Sequence, residues 1–164
     1  MELKMKTVKA GGELISLLVD WKEKIHQGAD VLDENGEIYW KRHTPILFPI
    51  VGRIKDNTTI IEGKEYHMNQ HGLARDMEFE ENIISDKIHK YTLKSNEITK
   101  EKYPYDFELT ITYEIIDNKI GTKYEVINTG NNEMLFGIGG HPAFKINRDE
   151  LLNNNYYLEF EKEN

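Results

Sequence analysis

The 164-residue chain contains no cysteine, which excludes disulfides, thiolate metal ligands and a thiol nucleophile. Its basic residues also do not outnumber its acidic residues. The net charge is −8 at pH 7, which disfavours a nucleic-acid partner because phosphate backbones are bound by basic patches. No apolar run is long enough to span a membrane or to form a signal-peptide core. We therefore expect a cytoplasmic protein with no membrane partner. These features remain compatible with a small-molecule ligand.

Several motifs of well-known chemistry are missing as well. No glycine-rich phosphate loop leads into a helix, and there is no Gly-x-Ser-x-Gly elbow. The two histidines with glycine neighbours, His71 and His141, lie seventy positions apart without a His-x-His or helical i, i+4 pair. This spacing is no metal signature, and we predict no metal site.

Short segments in which apolar and polar residues alternate make up most of the chain. Apolar and polar residues alternate along 107–116, Asp117-Asn118 offers a tight turn, and 119–127 supplies a partner strand. Only 95–102 could form a helical turn. Further strands are predicted at 13–19, at 58–61 with 64–67, at 77–84 with 87–94, at 134–138 and at 156–160. Roughly ten short strands predict an all-β, antiparallel β-sandwich forming a single domain over 1–164.

One stretch has the composition of a site. In Phe136-Gly137-Ile138-Gly139-Gly140-His141-Pro142-Ala143-Phe144 a predicted strand leads into two glycines, a histidine and a proline. The glycines let backbone or ligand approach, and the proline ends the ladder. His141 would then stand at a strand end, where it either exchanges protons with a ligand or simply packs in a tight turn.

Two other stretches carry polar groups beside apolar backbone. The buried segment 45–51 contains two prolines, which place it at a sheet edge or in a loop, and it leads into Gly52-Arg53. The irregular stretch 69–76 contains His71 and Arg75. Either arginine could instead be a solvated charge. The remaining histidines, His26, His43, His67 and His89, are predicted to be surface or packing residues.

Taken together, the stretches 48–53, 69–76 and 139–144 closely resemble the aldose 1-epimerase (galactose mutarotase) family, and best its LacX-like branch. The resemblance implies a galactose mutarotase-like super-sandwich that binds a hexose. It implies that Arg53 binds the sugar. It also implies that His71 and His141 are the catalytic histidines, with His71 hydrogen-bonded to the sugar and His141 acting as the general acid. Arg75 resembles an arginine of the sugar-phosphate epimerase branch, where it could meet an anionic substituent. A structural ion pair with Asp76 or another carboxylate is the alternative.

The resemblance also implies a reaction, the acid/base opening and reclosing of a hemiacetal ring that interconverts α and β anomers without a cofactor or metal. In the family the glutamate base lies in the second half of the chain, and no glutamate near Asn164 stands in that context. We therefore expect the N-terminal portion of a truncated sandwich that lacks its base. The alternative is a non-catalytic, carbohydrate-binding or structural half, which pairs with itself or with a partner to cover its open sheet edges.

Overall fold

The computed structural model describes residues 1–28 and 32–146, together with residues 153, 156, 157 and 159. Within them lie eleven strands, one short α-helix, and 3-10 helices at Lys55–Asn57 and Ala74–Asp76. The strands are β1 (Leu3–Val8), β2 (Glu13–Val19), β3 (Lys22–Glu23), β4 (Ile46–Leu47), β5 (Thr58–Ile61), β6 (Lys64–His67), β7 (Glu80–Ser85), β8 (Ile88–Lys94), β9 (Phe107–Ile116), β10 (Lys119–Asn128) and β11 (Gly139–Gly140), and the helix is α1 (Glu97–Lys100). None of the described helices is long and apolar enough to cross a membrane.

The strands form four sheets in which neighbours run antiparallel. The largest has the order β10-β9-β8-β7, a second has the order β1-β2-β3, and β4 with β11 and β5 with β6 form two-stranded sheets. In β9 the alternation of the sequence becomes an alternation of burial, since Leu109, Ile111 and Tyr113 are almost inaccessible to solvent. The predicted all-β, antiparallel fold is confirmed, as are the hairpins at 58–67 and 107–128.

The two larger sheets pack face to face through apolar side chains. Leu14 and Leu17 of β2 share one core cluster with Leu109, Ile111 and Tyr113 of β9. Polar bonds also join the layers, since the buried Tyr113 hydroxyl donates to the Gly12 carbonyl over 2.8 Å. This is a β-sandwich, and its core cluster includes Phe48 and Leu73, which anchor the stretches 48–53 and 69–76.

The predicted strand at 134–138 is wrong, because only Gly139 and Gly140 are in strand conformation there. Phe136 is 45% exposed instead of buried. The partner strand explains the short ladder. Gly139 and Gly140 pair with Leu47 and Ile46, and Pro45 and Pro49 close to that pair have no N–H to extend the ladder. Of the predicted last strand at 156–160, residues 158 and 160 lie outside the described residues, and residues 156, 157 and 159 are not in strand conformation.

Candidate functional site

The segment 45–52 is the element that assembles the candidate site. On one side His71 donates its backbone N–H to the Gly52 carbonyl over 2.7 Å, and Leu73 donates to the Phe48 carbonyl over 2.8 Å. On the other side the His141 backbone N–H donates to the Pro45 carbonyl over 3.1 Å. One segment thus binds the loops of both histidines, which the sequence separates by seventy positions.

The two imidazole rings meet edge to face. The ring centroids of His71 and His141 are 5.7 Å apart and their planes are inclined by 66°. A ligand near one ring would therefore be within reach of the other, and two proton-transfer groups share one site.

Backbone geometry determines the protonation state of His71. The residue has a φ of 67°, and its Nδ1 accepts the Gly52 backbone N–H over 3.0 Å. An accepting Nδ1 carries no proton, so the ring is the neutral tautomer with its proton on Nε2. Burial, followed by the charges of Arg75, His141 and Arg42, lowers the pKa of His71 and keeps it in this form. His71 can therefore donate one hydrogen bond from Nε2.

His141 has a more open environment. Its side chain is exposed, and its ring lies 5.4 Å from the centroid of the Trp40 ring at 44°. Among the described residues, no partner makes a hydrogen bond to either of its ring nitrogens. Both nitrogens are thus available to a ligand.

An arginine pair lies next to His71. Arg75 donates from Nη2 to the Gln70 carbonyl over 2.6 Å, and Arg42 donates to the Arg75 carbonyl and to Asp76 Oδ1 over 3.2 and 2.6 Å. Arg75 Nε lies 3.9 Å from Asp76 Oδ2 and is buried without a hydrogen-bond partner. Asp76 thus pairs closely with Arg42 and only loosely with Arg75. Burial, followed by the Arg42 charge, lowers the pKa of Arg75.

Clefts open on two sides of this group. One, of about 680 Å³, is lined by Tyr39, Trp40, Arg42 and Arg75 among others. A second, of about 170 Å³, runs between the sheets below His141 and has mainly apolar walls. Arg53 follows Gly52 directly and is exposed, and within the described part its guanidinium has no hydrogen bond or ion pair.

Two contributors were missed from the sequence, Trp40 and Arg42. Neither stands in a glycine-rich motif, and the only signal was their position just before the buried segment. Of the other histidines, His26 lies against Trp40 with ring centroids 5.8 Å apart. Within the described residues, no three histidine, aspartate or glutamate side chains converge in a way that could hold a metal ion.

Comparison with known proteins defines the class to which this fold and site belong. The profile of the aldose 1-epimerase family matches residues 2–164, and the chain belongs to that family. The chain is 31% identical over 140 residues to the plasmid-encoded protein LacX of Lactococcus lactis subsp. lactis, a match that covers 82% of this chain and 45% of LacX. The predicted resemblance to the LacX-like branch is confirmed.

Solved structures confirm the galactose mutarotase-like fold. A galactose mutarotase related enzyme from Lactobacillus acidophilus superposes with a TM-score of 0.81 at 34% identity, over 90% of this chain and 47% of that one. A galactose mutarotase-like protein from Lactobacillus casei ATCC 334 gives 0.80 and 33%, over 90% and 49%. The chain spans about half the length of these relatives.

Proposed function

We propose that this chain contributes the histidine side of a mutarotase site, which interconverts the α and β anomers of a hexose. The observation that carries the proposal is the edge-to-face pair of His71 and His141 in a member of the aldose 1-epimerase family. One ring is held neutral by a backbone donor and the other is open to solvent. Their environments differ enough for the two rings to have different roles.

The proposed chemistry moves only protons and one C–O bond. His141 donates a proton to the ring oxygen while a carboxylate removes the proton of the anomeric hydroxyl. The bond between C1 and the ring oxygen breaks, and the anomeric C–O bond becomes a carbonyl. Rotation about C1–C2 presents the other face of the aldehyde, and reversal of the same proton transfers closes the opposite anomer.

The remaining residues bind the sugar in this proposal. His71 donates from Nε2 to a sugar oxygen, as its tautomer requires. Arg53 offers an exposed cation to sugar hydroxyls, and Arg75 lies close enough to His71 to affect its pKa. With Arg75 in that position, a phosphorylated hexose is a second candidate substrate.

We propose that the carboxylate base is supplied from outside residues 1–164. The charges that shift the pKa of His71 all belong to cationic side chains, namely Arg75, His141 and Arg42. A carboxylate brought to such a site would be held in its ionised form, as a base requires.

Polarimetry of freshly dissolved α-glucose and α-galactose tests this function. We would measure the chain alone and the chain joined to the second half of a relative such as LacX. We expect little acceleration by the chain alone and clear acceleration by the joined protein, reduced at least about 100-fold by His141→Ala. His67→Ala is the control, because that ring is 72% exposed in β6. Sugar binding without acceleration in either protein would contradict the enzymatic function.

The second candidate is a non-catalytic half that pairs with itself or a partner. Exposed apolar side chains favour it, among them Leu135 at 74% and Phe144 at 54%. Large exposed apolar surfaces commonly mark interfaces. Analytical ultracentrifugation of the chain alone separates the candidates, since a concentration-dependent dimer that binds sugar without turnover would favour pairing.

A further inference from the structure

We propose that Trp40 is a positioning residue whose indole ring orients the imidazole of His141. The role of His141 as an acid rests on the proposed function. The contact between the two rings does not, and it can be tested without turnover.

Trp40 is also held by His26. The His26 ring lies 5.8 Å from the Trp40 ring, and His26 Nε2 bonds to the Trp40 carbonyl over 3.0 Å. The carbonyl can only accept, so Nε2 of His26 carries the proton. His26 therefore holds both the ring and the backbone of Trp40, and the indole presents a fixed surface to His141.

The ring of His141 depends on such contacts because hydrogen bonds do not orient it. In the part of the chain that the structure describes, its ring contacts are with Trp40 and His71, at 5.4 and 5.7 Å. A general acid is normally aimed by a bond to its second ring nitrogen. Packing against an aromatic face is the remaining means of fixing its direction.

Tryptophan fluorescence provides the first test, because a protonated imidazole in contact with indole quenches its emission. The chain has two tryptophans, so Trp21→Phe leaves Trp40 as the sole emitter. Trp21 is 70% exposed and lies in the turn between β2 and β3. We expect emission to fall as pH is lowered from 8 to 5 and the step to disappear with His141→Gln. If the step survives His141→Gln and disappears with His26→Gln, the proposed contact is overturned.

Imidazole NMR provides the second test. We would record the Cε1–H signal of His141 in the unmodified chain, in Trp40→Leu and in Trp40→Phe. Loss of the indole ring should move this signal in Trp40→Leu, and by less in Trp40→Phe, which keeps an aromatic ring next to the imidazole. The signal of His67 is the internal control and should not move. An unchanged His141 signal in both variants would refute the proposal. If Trp40→Leu fails to fold, Trp40→Phe and the fluorescence step decide.

Discussion

A single methyl group added at Gly72 should separate the loop of His71 from the segment 45–52, which holds that loop by hydrogen bonds. Its φ is +77°, and a Cβ there would collide with the Phe48 carbonyl oxygen and lie 2.7 Å from the Pro49 nitrogen. Both neighbours are backbone and cannot rotate away. That carbonyl also accepts from the backbone N–H groups of Leu73 and Ala74. Gly72→Ala must therefore push the loop away from the segment or distort both.

The loss of stability in Gly72→Ala can be estimated as the sum of its separate contributions. A left-handed conformation costs an alanine about 1 kcal/mol relative to glycine. Weakening the two hydrogen bonds to Phe48 costs about 1 kcal/mol each. We expect Gly72→Ala to lower the free energy of unfolding by about 3 kcal/mol, as measured by urea denaturation at pH 7.5.

Gly63 provides the matched control. Its φ of +78° is nearly the same, but no atom lies within 4 Å of the position of its Cβ. Gly63→Ala should therefore cost about 1 kcal/mol, the conformational part alone. If both variants lose the same stability, the close approach of Gly72 to the segment is not what holds the loop. The His71 imidazole NMR signals should shift in Gly72→Ala and not in Gly63→Ala.

Two further predictions concern the same loops. The pKa of His71 is lowered from 6.5 in the folded chain, so the unfolded chain binds this proton at a higher pH than the folded chain. The contribution of His71 to the free energy of unfolding is therefore complete above about pH 6.5. It is lost as the pH falls through the folded-state pKa. His71→Asn, which keeps an acceptor and tolerates a positive φ, should reduce the loss of stability between pH 7.5 and 5 in urea titrations, whereas His67→Asn should not. The Glu13 carboxylate accepts the backbone N–H groups of His43 and Thr44 over 2.7 and 2.6 Å. Glu13→Gln should cost about 1 kcal/mol in thermal or urea unfolding and Glu13→Ala at least about 2, and equal losses would mean that the acceptor is dispensable.

The alternation of apolar and polar residues predicted those strands in which this alternation itself decides which side chains are buried. The alternation along 107–116 predicted β9 because every second side chain had to face an apolar layer, and the structure buries those side chains. The prediction of a strand at 134–138 was wrong for a reason that lies outside the sequence of that segment. Its length is limited by a partner that contains Pro45 and Pro49, and no periodicity within 134–138 carries that information.

The pairing of the two histidines shows the same limit. Neither ring has a sequence signal that points to the other, and only the family resemblance suggested a shared site. In the structure they meet because the segment 45–52 accepts hydrogen bonds from both of their loops. Trp40 was missed because its ring contacts are with His26 and His141, which lie far apart along the chain. Long-range contacts of this kind are properties of the fold and not of any local pattern.

The charge around the pair indicates what would complete the site. The chain carries a net charge of −8, yet Arg42 and Arg75 flank His71 with Asp76 as their close acidic partner. Two cations, one carboxylate and two imidazoles leave an excess of positive potential where the sugar is proposed to bind. Burial first, and then this potential, keep His71 neutral, and the potential favours any anion that enters. A carboxylate base or a phosphorylated sugar would both neutralise it. A carboxylate supplied in trans should therefore raise the pKa of His71 towards 6.5, and NMR titration of His71 with and without the second half of a relative measures that shift directly. No change on addition of a half that binds would mean that its carboxylate does not reach this pair.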